Sequence, residues 1–139
     1  MNSKQQGDVG VSCAIAYYTM LGCIVSMPLT DNSRYDLIVE KDEVLYRVQC
    51  KTTRFQRNGA YEATVKTSGG NQSWNKTSKN LSAAECDLLF IYSFDGKCYE
   101  FPQIYFDGKS SVRLGKDKKK YQVWEIHSPH AQIELTNEN

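Results

Sequence analysis

The sequence predicts an α+β domain: an N-terminal helix followed by a central mixed β-sheet with flanking helix and loops. Apolar residues recur at helical spacing near the N-terminus, and short β-branched or apolar runs bounded by turn residues then follow one another from Cys23 to Phe101. Few helical segments separate these runs, which favours strands gathered in one sheet over strands alternating with helices. A chain of 139 residues with 40% hydrophobic content can bury one core and is short for two. One domain over 1–139 is expected, with 103–139 as a C-terminal extension.

Residues 8–21 read as a helix, because Val11, Ala14, Ile15, Tyr18 and Leu21 share one face and Gly22 offers a stop. Cys23 to Ser26 is a short strand, and Pro28 to Ser33 a loop. Tyr35 to Glu40 and Leu45 to Arg54 are the clearest strands, joined by a charged four-residue turn over 41–44. Asn58-Gly59 suits a tight hairpin turn into a strand at Tyr61 to Lys66. The stretch 68–80 has the composition of a loop, and loops of this length often carry function. Asp87 to Phe94 is a strongly apolar strand that returns through Asp95-Gly96 as Lys97 to Phe101. Beyond Pro102 the pattern weakens to a short helix at Gln103 to Tyr105 and an edge strand at Gln122 to Ile126.

The five cysteines form no CxxC pair, and the N-terminus is polar, so reduced thiols and a cytoplasmic protein are expected. No apolar run has membrane-spanning length. His127 and His130 lack carboxylate or cysteine neighbours at zinc spacing and read as surface residues. The net charge of +1 hides an uneven distribution. Residues 51–80 carry six Lys/Arg against one Asp/Glu, and 109–139 carry six against four, concentrated in Lys109 to Lys120. Basic segments with interleaved Trp74, Asn and Ser suit phosphate contact, although charge alone equally describes a solvated surface.

Side chains alternate across a strand, so Gln49 and Lys51 share a face. The 41–44 turn pairs 40 with 45, 38 with 47 and 36 with 49, which sets Asp36 opposite Gln49. Phosphodiester cleavage needs a metal to polarise the phosphate and acidify a water, and a cation to stabilise developing charge. Asp36, the Gln49 amide oxygen and the Cys50 carbonyl could hold Mg²⁺ or Mn²⁺, and Lys51 could orient water and phosphate. The same spacing also suits an unremarkable surface pair on adjacent strands, and the residues alone leave both open.

The chain resembles PD-(D/E)xK nucleases, in particular bacterial group I intron-encoded homing endonucleases, relatives of archaeal Holliday-junction resolvases. The resemblance rests on Lys4-Gln-x-Gly-Asp8, on Asn32-Ser-Arg-Tyr-Asp36-Leu-Ile-Val39, on Tyr46-Arg-Val-Gln-Cys-Lys-Thr52, and on Asp87 to Tyr92 with Tyr99 to Pro102. It implies a restriction-endonuclease-like core with Asp36 and Lys51 catalytic and Gln49 in the Glu/Asp position of the motif. It also implies a site-specific double-strand DNA endonuclease working as a homo-oligomer, dimer or tetramer, since one small chain covers only part of a long site. Arg54, Arg57, Lys66, Lys76 and Lys79 are the first candidates for DNA contact, then Lys116, Lys118 and Lys119.

The sequence departs from the family pattern in three places. Tyr35 stands where Pro is frequent, a position that mainly shapes the strand. Gln49 is neutral, which implies weaker metal binding. Val11 stands four residues after Gly7, where related enzymes carry a helix Glu, so Asp8 takes part from a preceding turn, or activity is reduced, or the chain is an inactivated form. The competing functions are a Holliday-junction resolvase, which prefers branched DNA, and a DNA-binding module without cleavage. A domain with no nucleic-acid role would leave the basic 51–80 segment unexplained.

Overall fold

The computed structural model describes residues 1–68, 78–115 and 122–125, with 67, 68, 78, 79 and 122–125 as backbone only. The chain opens with helix α1 (Ser3–Met20). The helix begins five residues before the expected start at residue 8, because Asn2 and Gln5 form a reciprocal capping box: the Gln5 N–H donates to Asn2 Oδ1 and the Asn2 N–H to Gln5 Oε1, both at 2.9 Å. It ends where Gly22 adopts φ 84°. The Cys23 N–H then donates to the Tyr18 carbonyl and the Gly22 N–H to the Thr19 carbonyl, a Schellman closure.

Strands β1 (Ile24–Ser26), β2 (Leu37–Lys41), β3 (Val44–Thr53), β8 (Leu88–Ser93), β9 (Lys97–Pro102) and β11 (Gln122–Glu125) form one sheet in the order β1-β2-β3-β8-β9-β11. Only β3 and β8 run parallel; the other neighbours are antiparallel. The expected mixed sheet is therefore present, and β11 is its edge strand. The β2–β3 turn is tighter than expected: Lys41 pairs with Val44, leaving only Asp42 and Glu43, both at positive φ, as the turn. Either turn length keeps Glu40 opposite Leu45 and Ile38 opposite Arg47.

The small strands β4 (Gln56–Arg57), β5 (Ala60–Thr64) and β10 (Ser111–Arg113) make a second sheet in the order β10-β5-β4. Asn58 and Gly59, at φ 51° and 78°, close the β4–β5 hairpin as expected. Strands β6 (Lys66–Ser68) and β7 (Ser78–Asn80) pair as a ribbon, so strand residues occupy both ends of the expected 68–80 loop. The short helix α2 (Gln103–Phe106) follows β9 directly.

Strand β8 explains the layering. Phe90 and Tyr92 pack toward α1 with Ala14, Tyr18, Leu37, Val39, Val48, Cys50 and Cys98. Leu89 and Ile91 point the other way, into a core with Ala63, Val65, Leu81, Tyr99, Phe101, Phe106, Val112 and Leu114. A strand covered on both faces needs apolar side chains at every position, which is why Leu88 to Tyr92 reads as an unbroken run. Phe106, Val112 and Leu114, from the expected C-terminal extension, are buried in this core. Among the described residues no helix is long and apolar enough to cross a membrane.

Helix α1 crosses β3 at its closest approach through Gly10. A Cβ placed there would stand 2.4 Å from Thr52 Oγ1 and 3.1 Å from the Lys51 carbonyl oxygen, whereas one at Gly7 would meet nothing within 4 Å. Gly7→Ala should therefore stabilise the protein by about 0.5–1 kcal/mol, the usual gain of Ala over Gly inside a helix. Gly10→Ala should instead destabilise by about 1–3 kcal/mol through overpacking, read as opposite shifts in Tm. Adding Thr52→Ala should recover part of the loss, because the shortest contact is with the Thr52 side chain.

Candidate active site

The site is built where β2 ends against β3. Pairing runs from Lys41 with Val44 to Leu37 with Val48 and stops there. The Asp36 N–H donates to the Val48 carbonyl at 2.9 Å, so Asp36 leaves the regular ladder and does not sit directly across from Gln49 as the extrapolated register placed it. Its carboxylate takes the place of the missing backbone acceptor: the Cys50 N–H donates to Asp36 Oδ2 at 2.7 Å. A strand residue directs its N–H and C=O to the same edge, so the Cys50 carbonyl opens on the Asp36 side.

Asp36 is half-buried, and burial raises its carboxyl above the usual carboxylate range; the Cys50 N–H and the positive charge of Lys51 offset part of that shift. Lys51 is near enough for its charge to act on Asp36, and it is half-buried like Gln49. The Gln49 backbone N–H faces the opposite edge, on the side of Cys86, whose thiol burial pushes up to about 12. That thiol stays protonated and packs behind the strand. Beneath it, Arg47 bolts β3 to β8: its Nε and Nη2 donate to the Asp87 carboxylate at 3.1 Å each, its N–H donates to Asp87 Oδ2 at 2.7 Å, and its Nη1 donates to the Ala84 carbonyl at 2.9 Å. The Arg47 guanidinium holds Asp87 below the ordinary carboxylate range.

The structure thus brings Asp36, Gln49, Cys50 and Lys51 together at one strand end. It does not bring Asp8 to them. Asp8 lies inside α1, not in a turn before it, and is exposed. At 100° per residue it is turned 200° from Gly10, which faces β3. Val11 is half-buried against the α1-side core, as its place in the apolar stripe suggests. Two residues that position the site escaped the sequence reading. Gly10 allows the close crossing, and Thr52 donates its hydroxyl to the Gln6 carbonyl at 2.7 Å, tying α1 to the residue after Lys51. A glycine inside a helical pattern was the available signal of such an approach.

Among the DNA-contact candidates, Arg54, Arg57 and Lys66 are exposed at and beyond the end of β3. Lys79 lies on β7, with its side chain outside the described residues. Lys76, Lys116, Lys118, Lys119, His127 and His130 also lie outside them.

The donor set suits a hard divalent cation. Asp36 Oδ2 is engaged, and among the described residues Oδ1 has no partner, so a half-buried carboxylate keeps one oxygen free on the edge of β3 where the Cys50 carbonyl opens, with Gln49 and Lys51 the flanking residues on that strand. Among the described residues no group of three or more His, Cys, Asp and Glu gathers anywhere. Asp36 is the carboxylate that the described residues anchor here, and with neutral oxygens it makes a set that a strongly hydrated ion retaining several waters can use.

A family model for the PD-(D/E)XK endonucleases matches residues 1–128. The chain is a member of that family. It is accordingly a nuclease that hydrolyses phosphodiester bonds, from a family that generally uses divalent metal ions. A search of curated proteins returned no match. Among solved structures, the endonuclease is similar to a bacterial homing endonuclease, I-Ssp6803I, at 20% identity and a TM-score of 0.70, covering 100% of this chain and 99% of that one. At that identity the likeness establishes a shared fold, an N-terminal helix on a central mixed sheet.

Proposed function

We propose that this PD-(D/E)XK endonuclease makes site-specific double-strand cuts in DNA, as a homing endonuclease does, and that it does so inside the cell as a homo-oligomer. The observation that carries the reading is the half-buried Asp36 carboxylate, anchored on the Cys50 N–H and within the field of Lys51 at the end of one strand. The solved structure of similar fold is that of a bacterial homing endonuclease. Mg²⁺, with Mn²⁺ as a substitute, would be held by Asp36, the Gln49 side-chain oxygen and the Cys50 carbonyl, and would supply charge that polarises the phosphate and lowers the pKa of water. Lys51 neutralises charge that develops on the phosphate and hydrogen-bonds the attacking water. The Thr52 bond to Gln6 and the close crossing at Gly10 hold the Lys51 backbone still against α1.

A non-catalytic DNA-binding module is the second reading, favoured by the single carboxylate of the site and by Val11 on the helix. Plasmid nicking and linearisation in Mg²⁺ and in Mn²⁺ separates the two, with Val11→Glu beside the parent chain. Discrete cuts by the parent are expected, and Val11→Glu should cut at a lower Mg²⁺ concentration because a second anion joins the site. Cuts only by the variant would mark the parent as an inactivated form. Salt-sensitive binding to duplex without cuts by either would establish the binding module.

A further inference from the structure

Among the described residues, the sheet of β10, β5 and β4 has one face in the core and one face uncovered. Ala63, Val65, Val112 and Leu114 are buried beneath it. By strand alternation, Glu62 and Arg113, which pair across β5 and β10, turn outward. Arg57 ends β4 and is exposed. The Arg113 Nη2 donates to the carbonyl of Asn58 at 3.1 Å, across a separation of 55 residues in sequence. Pairing of β10 with β5 therefore sets an arginine from the second basic segment beside the tight turn that follows Arg57.

Arg54, Lys66 and Lys109 are exposed on the same small sheet and its flanks. Among the described residues Arg54, Arg57, Lys66 and Arg113 have no ion-pair partner. The face is also continuous with the catalytic strand. Thr53, two residues past Lys51, donates its hydroxyl to the Glu62 carbonyl at 2.7 Å, and the Glu62 N–H closes on the Phe55 carbonyl at 3.0 Å. Six Cα-to-Cα steps lead from Lys51 to Arg57, a reach of at most about 20 Å, which spans roughly six base pairs at 3.4 Å each.

We propose that the outward face of the β10-β5-β4 sheet docks on the DNA duplex beside the phosphate being cut, with Arg57 and Arg113 as a paired contact to its backbone. The proposal rests on the nuclease reading above. The excess of unpaired cations over carboxylates on this face fits a polyanion, and the rigid link through Thr53 fixes its distance from Lys51.

The test is binding of a random-sequence 30-base-pair duplex in Ca²⁺, titrated over a series of salt concentrations, with Tm recorded for every variant. Arg57→Ala and Arg113→Ala should each weaken binding about tenfold and lower the slope of log K against log salt by about 1. Arg113→Lys should keep the slope, because it keeps the charge. Lys41→Ala, at the far end of β2, should change neither quantity. If the parent binds duplex with a steep salt dependence and both arginine variants match it, the docking face is wrong and the nuclease reading stands. If the parent binds no duplex at all, both fall. Should Arg113→Ala lose its fold with the Asn58 bond, Arg57→Ala and Arg113→Lys decide the matter, and an unchanged Arg57→Ala overturns the proposal.

Discussion

Lys51→Ala is expected to lower single-turnover DNA cleavage by about 10²–10³-fold or more while duplex binding changes only a few-fold, as measured by rapid-quench cleavage and by titration in Ca²⁺. The asymmetry follows from position. Lys51 acts on Asp36 electrostatically from a half-buried place at the end of β3, so its charge is less screened there than that of a surface lysine. For binding it is one cation among many on a basic surface, and losing one phosphate contact is a small change. For cleavage it is the cation beside the one carboxylate of the site, where negative charge grows as the phosphate is attacked. Lys51→Arg should recover little, because a planar fork on a differently shaped stem does not place its charge where the compact ammonium stood. Full cleavage by Lys51→Ala would remove the site from this strand end.

Asp36→Asn should abolish metal-dependent cleavage and leave metal-free duplex binding equal to the parent or tighter, since one negative charge near the phosphate is gone. It should also leave the metal-free protein as stable as the parent at neutral pH, or more so. Burial raises the Asp36 carboxyl, so its folded value lies above its unfolded one. Folding then favours the protonated form, and the unfavourable burial of the ionised form is absent below the unfolded pKa and present once pH rises through the folded pKa. Asparagine removes that charge and can still accept the Cys50 N–H through its amide oxygen. Tm measured in a chelating buffer should therefore show the variant ahead at neutral pH, with the gap closing as pH falls. An Asp36→Asn protein that unfolds would show the carboxylate to be structural.

The local elements were legible because each follows from a pattern a few residues long. Alternation along β3 set Gln49 and Lys51 on one face, Asn58-Gly59 could close a hairpin with positive φ, and the unbroken apolar run at Asp87 to Phe94 marked a strand. The β2–β3 register survived a misjudged turn length because both turns keep the same cross-strand partners. The start of α1 was missed although Asn2 and Gln5 stand at capping-box spacing, since Asn is a less familiar partner there than Ser or Thr.

By itself, then, the sequence determined the order of the helix and the longer strands, the turns at Asn58-Gly59 and Asp95-Gly96, and which strand carries Gln49 and Lys51, all of which depend on side-chain period and local backbone preference. Only the tertiary structure decided that β3 runs parallel to β8, that Asp36 leaves the ladder to accept the Cys50 N–H, that Gly10 lets α1 touch the Lys51 backbone, and that Arg113 lies beside the turn after Arg57. Each of these joins segments distant in the chain, and which pair meets is settled by how two cores close on the faces of one sheet. No repeat or spacing in one segment records the identity of its partner in another, so Asp8 could look available in the sequence while the turn of the helix carried it away from the site.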